Sequence, residues 1–132
     1  MYQIQVDKVH TIIEIVLDGY IPAEEMQRLA EEMGRIVATF QGRDIKLKVD
    51  ARTFKPASPE AVEILRRLQE QGLQAGVKRV AELVESQIVA LQLNRVARES
   101  GADKILRRFW DDGAARQWLA NGESAEEDNK LS

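Results

Sequence analysis

Hydrophobic and polar residues alternate with two different periods along the chain, and the changes of period divide it into strands and helices. Tyr2, Ile4 and Val6 alternate with polar residues, which predicts a strand with one solvated face. Residues 10–17, HTIIEIVL, are more continuously apolar, as expected of a strand nearer the centre of a sheet. Residues 7–9 can form a turn between them. The pattern therefore predicts that the chain opens with two adjacent strands.

A long amphipathic helix is predicted next, over residues 22–40. Pro22 fits the first turn of a helix, because its missing N–H would have no partner there. Glu24 and Glu25 also lie in this turn, where the helix dipole favours negative charge. We expect Gln41-Gly42 to end the helix. The apolar residues, spaced by three and four along one stripe, are Met26, Leu29, Ala30, Met33, Ile36, Val37 and Phe40.

The middle of the chain reads as a strand, a loop and a second helix. The strand covers Ile45–Val49 and is followed by an acid, Asp50, at its carboxyl end. The helix is expected over Pro59–Gln71, and Gly72 and Gly76 are expected to close it. In a sheet covered by helices, the end of such a strand and the start of the next helix form a frequent interaction corner. The inward stripe of the helix is Ala61, Ile64, Leu65 and Leu68.

A strand over Val77–Val84 and a third helix follow. Ser86 is a suitable N-cap for this helix, which is expected to run to about Ser100 before Gly101 ends it. Its inward residues are predicted to be Val89, Leu93, Val96 and Ala97, with Ile88 and Leu91 widening the apolar face.

The last elements are a short strand and a short helix. The strand, Ile105–Phe109, is expected at an edge of the sheet because two arginines interrupt it. Asp111 or Asp112 caps a helix that contains Ala114, Ala115, Trp118 and Leu119. The segment 121–132 has almost nothing to bury, and we expect a disordered acidic tail.

The element order is therefore β-β-α-β-α-β-α-β-α, which predicts an α/β fold. Strands separated by amphipathic helices require right-handed crossovers and a mostly parallel sheet with flanking helices. The opening pair of strands adds an antiparallel edge, so the sheet is mixed. Nothing divides residues 1–120, and one domain is expected there.

Composition narrows the classes of function. The chain has 132 residues, 44% of them hydrophobic and 31% charged, as in a soluble globular domain. Its net charge of −3 and its 5% of aromatic residues argue against nucleic acid as a partner. With no cysteine, no signal peptide and no apolar run long enough to span a bilayer, a cytoplasmic protein is expected.

No set of residues specifies a reaction. His10 is the one histidine in the sequence and stands beside a predicted turn, so we interpret it as a surface residue; no metal or cofactor is expected. Asp50 is either a site carboxylate or, more commonly for such a position, the acceptor that holds the following loop. We therefore expect that the protein is not an enzyme.

Ser58 has two interpretations. Its hydroxyl can cap the helix that starts at Pro59, or it can be a phosphorylation site whose phosphate would lie at the positive end of that helix. Arg66 and Arg67, farther along the same helix, belong to a modest basic zone that is either an ordinary solvated surface or part of a docking surface.

The chain resembles STAS domains, the sulfate transporter and anti-sigma factor antagonist family, and most closely their stand-alone SpoIIAA-like bacterial branch. The resemblance covers about residues 2–120. The segments that carry it are IIEIVLDGYI, IKLKVDART with the following loop and Ser58, KRVAELVES, and RRFWDDGAARQWL.

The resemblance implies a non-catalytic regulatory domain of a bacterial cytosolic protein. Such a domain docks on a protein partner, often a serine kinase, through a helix surface and a phosphoserine loop; here Ser58, Asp50, Arg66 and Arg67 would take part. SpoIIAA-like chains also resemble the CRAL-TRIO lipid carriers, which implies the alternative of a small apolar ligand. Met26, Met33, Phe40 and the face of residues 88–96 could line its pocket, and a homodimer is compatible with either function.

Overall fold

The computed structural model describes residues 1–41 and 43–122 and contains a five-stranded sheet with helices on both faces. The strands are β1 (Tyr2–Asp7), β2 (Ile12–Gly19), β3 (Ile45–Phe54), β4 (Val77–Leu83) and β5 (Leu106–Phe109). The helices are α1 (Ala23–Ala38), α2 (Pro59–Gln74), α3 (Gln87–Ser100) and α4 (Asp112–Asn121), with a 3₁₀ turn at Ala102–Lys104. The predicted order of elements is confirmed. The predicted tail lies outside the described residues from position 123 onwards.

The strands lie in the sheet in their order along the chain, β1-β2-β3-β4-β5. β1 pairs with β2 antiparallel, whereas the other three pairs are parallel, so the mixed sheet with an antiparallel edge is confirmed. β5 is the opposite edge, also as predicted. Because parallel crossovers share one handedness, a sequential strand order places α1, α2 and α3 on the same face of the sheet.

The larger hydrophobic core lies between that face and the three crossover helices. The helical stripes predicted from the sequence supply it, and Met26, Leu29 and Met33 of α1 are among its buried residues. Val89 and Leu93 bring α3 into the same core. The helix caps are also as predicted: Ser86 Oγ accepts the N–H of Val89, and Gly101 ends α3 with a φ of 89°.

The second face of the sheet is covered by α4 alone among the described helices. A smaller core joins Phe109 to Trp118, whose ring centroids are 5.5 Å apart. Asp111, not Asp112, caps the helix by accepting the N–H of Ala114. Asp112 instead forms an ion pair with Lys48 of β3. This face of the sheet therefore carries buried charge beside its apolar contacts, whereas the first face is covered mainly by hydrophobic residues.

Lys48 is the centre of the charges under α4. It is buried, and its Nζ lies 2.8 Å from Glu14 Oε1, while Arg116 of α4 also pairs with Glu14. Burial opposes ionisation of Glu14, but the hydrogen bonds from Lys48 and Arg116 outweigh it and lower the pKa of that carboxyl. The network ties β2, β3 and α4 together.

Two predicted element ends were wrong. β3 continues to Phe54 because its last residues still pair with β2, which places Asp50 inside the strand. α1 ends at Ala38 with Thr39 as its C-cap, before the predicted Gln41-Gly42.

Gly72 and two apolar residues of α3 were also wrongly assigned. Gly72 lies inside α2, since packing against the sheet holds the helix together despite the glycine. Ile88 and Leu91 are 66% and 69% exposed. The reason is that α3 is the outermost helix of its layer, with α2 on one side, so part of its apolar face meets solvent.

Candidate functional site

A cavity of about 350 Å³ lies between the core face of the sheet and helices α1 and α2. Leu47 and Val49 of β3 form part of its floor, and Met33 and Val37 of α1 form one wall. Leu65 of α2 lies in the opposite wall. Most of the residues that line it are aliphatic, so the cavity favours apolar contents.

The floor residues show that this space interrupts the core. β3 is the central strand and has a neighbour on each side, yet Leu47 and Val49 are only half-buried. Both side chains point to the covered face: they pack against the core that contains Val80, which is the register partner of Leu47. The surface that they leave accessible is therefore the surface that lines the cavity.

The cavity opens between the C-terminal halves of α1 and α2. Its exposed lining residues are small or polar and come from both helices: Gly34, Ala38, Gln71 and Ala75. Gly72 of α2 lines it too. A glycine inside a helix costs roughly 0.5–1 kcal/mol relative to alanine. Both helices thus carry a destabilising residue at the opening, and the absence of two side chains widens it.

Glu82 is the one ionisable residue among the described residues that line the cavity. It lies in β4 on the core face, directly between Val80 and Val84 of the hydrophobic core, and only 2% of its surface is exposed. Its Oε1 accepts a hydrogen bond of 2.8 Å from Arg108 Nη2 on β5. The same Nη2 donates to Asn94 Oδ1 of α3 at 2.9 Å.

Burial governs the ionisation of Glu82. Removal from water raises the pKa of its carboxyl above the ordinary 4.5, and the hydrogen bond and charge of Arg108 offset only part of that effect. Arg108 does not line the cavity. It borders a separate depression with Asn94 and Arg98, and its Nε is buried without an acceptor among the described residues.

Ser58 acts as the cap of α2. Its Oγ accepts the N–H of Ala61 at 3.2 Å, as one of the two sequence interpretations predicted. Phosphorylation of Ser58 stays a prediction. The residue lies at the carboxyl edge of the sheet and does not line the cavity.

The other predicted site residues are not brought together by the fold. Asp50 holds Arg52 through two guanidinium hydrogen bonds of 3.0 and 2.7 Å, which lower the pKa of Asp50. It is the register partner of Leu83, which packs in the core under α4, so Asp50 belongs to the face opposite α2. Arg66 and Arg67 lie on α2, about two turns beyond Ser58.

Both of these arginines pair with acids of their own helix. Arg66 donates to Glu63 and, at 2.6 Å, to Glu70, and Arg67 Nε lies 3.3 Å from Glu63. Their positive charge is therefore largely balanced on the surface of α2. A docking role for them stays a prediction.

His10 lies in the turn between β1 and β2, and the surface interpretation is confirmed. Its ring is exposed, and its Nδ1 lies 2.8 Å from Asp7 Oδ2. Within residues 1–41 and 43–122, no group of three or more histidines or acids could hold a metal ion. No helix in the same residues is long and apolar enough to cross a membrane.

Some of the residues that were expected to line a ligand pocket line the cavity, whereas the ligand itself stays a prediction. Met33 and Leu93 line the cavity, whereas Met26 and Phe40 are fully buried in packed core. Glu82 was missed. Its signal was present in the sequence, since the alternation of a buried strand places it at the same inward positions as Val80 and Val84.

Comparison with known proteins identifies the fold. No family model and no curated protein matches the sequence. The structure is similar to that of an uncharacterised DUF3478-family protein with a SpoIIAA-like fold from Shewanella loihica PV-4, with a TM-score of 0.68, 16% identity, and 90% of this chain and 92% of that one covered. It is also similar to the NMR structure of the protein TM1081, with a TM-score of 0.63, 8% identity, and 92% and 90% covered. The predicted SpoIIAA-like fold is confirmed; the low identities show the fold alone.

Proposed function

We propose that this protein is a non-catalytic binding domain of SpoIIAA-like fold that takes a small apolar ligand between its sheet and helices α1 and α2. The observation that carries the proposal is the aliphatic cavity beneath the two helix glycines, Gly34 and Gly72. A fully packed core would leave no room for such a ligand. The core has instead an opening of about 350 Å³, which lies within the usual range for ligand sites.

The volume sets the size of the ligand. One water molecule has a share of roughly 30 Å³ in the liquid, and a methylene group is of similar size. A cavity of about 350 Å³ therefore accommodates a chain of roughly ten heavy atoms. A medium-length alkyl chain or a two-ring aromatic compound fits this description.

Binding without reaction agrees with the groups in the wall. Glu82 is the one ionisable residue among the described lining residues, and its described partner, Arg108, lies behind the wall. Acid–base catalysis normally needs a group within hydrogen-bond reach of a reacting atom and a second group to complete the proton transfer. A single paired carboxyl is better suited to recognition.

Fluorescence of 1-aminonaphthalene, a two-ring dye whose emission shifts to the blue in apolar surroundings, tests the proposal. We expect saturable binding by the purified protein, weakened at least tenfold by Gly34→Phe, because the ring would stand in the opening. Gly34→Ala should bind normally. Arg35→Phe places the same ring on the next, exposed residue of α1, outside the cavity lining, and is the matched control.

Two results would remove the cavity as the binding site. One is the absence of saturable binding by the folded wild-type protein. The other is equal affinity in wild type and Gly34→Phe, which would place the dye elsewhere on the surface. Extraction of the purified protein with organic solvent, followed by mass spectrometry, would show which compound it carries from the cell.

A regulatory interaction with a protein partner in a bacterial cytosol is the second candidate function. Large apolar side chains exposed near the carboxyl edge of the sheet favour it: Trp110 is 84% exposed, and Ile88 and Leu91 share one side of α3. The predicted docking role of Ser58, Arg66 and Arg67 belongs to the same proposal. Capture of a partner that survives Arg66→Glu/Arg67→Glu but not Ile88→Glu/Leu91→Glu would assign the contact to α3; the reverse result would assign it to α2.

A further inference from the structure

We infer that the cavity selects apolar ligands that carry one uncharged hydrogen-bond donor, namely aliphatic alcohols, through the carboxylate of Glu82. The inference rests on the proposed function and gives the chemical class of its ligand. Hydrocarbon contacts alone would make the site indifferent to the head group. The position of Glu82 gives the site a preference for one kind of head group.

The first ground is the position of the carboxylate. Glu82 takes the place of an aliphatic residue between Val80 and Val84, and it is one of the residues that line the cavity. Among the described residues, the hydrogen bond that it receives comes from Arg108 Nη2 to Oε1. Since a carboxylate has two oxygens and about four acceptor positions, most of its capacity is left for a donor inside the cavity.

The second ground is the position of the cation. Arg108 is not among the residues that line the cavity, and it faces the depression bordered by Asn94 and Arg98. A ligand between α1 and α2 therefore meets the acceptor of the ion pair and not its donor. A ligand carboxylate would face Glu82 without a compensating positive charge, and it would be excluded.

The third ground is the balance of charge. Glu82 and Arg108 form a pair with no net charge, and the other residues that line the cavity around Glu82 are mostly aliphatic. A ligand ammonium group would bring an additional charge out of water into that pair, which is costly. A hydroxyl group donates its hydrogen bond to the carboxylate and adds no charge. An alcohol is therefore the ligand class that can donate a hydrogen bond to Glu82 without adding a charge to the cavity.

The test compares decan-1-ol with its isomer 1-methoxynonane and with nonanoate, each competing with 1-aminonaphthalene on the full-length protein. The ether has the same atoms as the alcohol and no donor. We expect the alcohol to bind roughly tenfold or more tightly than the ether, as a hydrogen bond to a charged group in an apolar site implies. Nonanoate should bind more weakly than both.

Two variants assign the preference to Glu82. Glu82→Gln keeps the shape and loses the charge, and it should reduce the ratio of alcohol to ether affinity. Glu82→Leu/Arg108→Leu removes both members of the pair, so that neither is left buried alone, and it should abolish the ratio while both ligands still bind. If the variants do not fold, the ratio in the wild-type protein decides.

The possible failures are distinct. Equal affinity of the wild-type protein for alcohol and ether would overturn the inference and leave the apolar cavity intact as a binding site. Tightest binding of nonanoate would also overturn it, because the ligand would then be recognised by a cation. Binding of none of the three compounds would overturn the proposed function together with the inference.

Discussion

At the scale of single residues, Glu82 is an acidic residue at an inward position of the hydrophobic core. Its place in the alternation of β4 directs it inward, and the core around it is hydrophobic. Arg108 supplies a partner, but burial still makes the charged form less favourable than it is in water. A carboxyl with a raised pKa binds more protons in the folded than in the unfolded state over the interval between the two pKa values. The wild-type protein therefore loses stability as the pH rises through that interval, which begins at 4.5.

Glu82→Gln should remove this loss. The free energy of unfolding of the variant, measured by urea titration and compared with that of wild type at each pH, should increase relative to wild type as the pH rises above 4.5. Asp50→Asn is a control of opposite sign. Because Arg52 lowers the pKa of Asp50, its charge stabilises the folded state above the ordinary 3.8, and the asparagine variant should lose stability relative to wild type as the pH rises. Parallel curves for wild type and Glu82→Gln would contradict the raised pKa.

Ser58 is a second residue whose local role can be measured. Its hydroxyl accepts the N–H of Ala61, so Ser58→Ala should reduce the free energy of unfolding by about 1 kcal/mol in chemical denaturation. Ser58→Asp retains a capping oxygen and should stay close to wild type. If alanine and aspartate were equally harmless, the cap would contribute nothing, and the phosphorylation interpretation of Ser58 would become the stronger one.

At the scale of elements, α4 differs from the other helices in how it is attached. α1, α2 and α3 pack through aliphatic stripes, whereas α4 adds ion pairs to its aromatic contact. Lys48 stands between Glu14 and Asp112, and it is buried on a strand that has neighbours on both sides. Removing the charge of Lys48 would leave the carboxylates of Glu14 and Asp112 close together at a partly buried site.

Lys48→Met keeps the length of the side chain and removes its charge. We expect a loss of about 2 kcal/mol or more in the free energy of unfolding, because Glu14 and Asp112 would lose their common partner. Arg66→Gln is the matched control on α2, where the ion pairs face solvent, and it should leave the stability unchanged within error. A Lys48→Met protein as stable as wild type would show that Arg116 alone suffices to hold Glu14.

At the scale of the whole molecule, the sequential order of the strands decides where the space is. It places three helices over one face of the sheet and, among the described helices, one over the other. The layer of three must cover the central strand, and the glycines of α1 and α2 leave it open above Leu47 and Val49. The cavity is thus a consequence of topology as well as of side-chain size.

Pressure should reveal this space, since unfolding eliminates internal voids and becomes more favourable under pressure. Val49→Phe, which places a ring in the cavity, should unfold with a smaller volume change than wild type in high-pressure fluorescence measurements. Val16→Phe puts the same ring on the neighbouring strand but on the face of α4, as its pairing with Asp50 shows, and it should not reduce the volume change. An equal volume change in wild type and Val49→Phe would mean that the cavity is not closed enough to exclude water.

The elements were predictable because each depends on short-range chemistry. The stripe of Met26, Leu29 and Met33, the cap at Ser86 and the left-handed Gly101 are all visible within a few residues of sequence. The errors lie where distant contacts override local signals. β3 extends to Phe54 because β2 is beside it, and Gly72 remains helical because α2 is held against the sheet.

The sequence by itself determined the α/β class and the order of the elements, since apolar periodicity and capping residues act locally. The SpoIIAA-like fold was indicated by a resemblance of whole segments, and the structural similarity confirms it. The tertiary structure alone decided the strand order, the pairing of Glu82 with Arg108, and the alignment of Gly34 with Gly72 across one opening. These features join residues far apart in the chain, and no local pattern records which of them will meet. The cavity, and with it the proposed function, belongs to this second group.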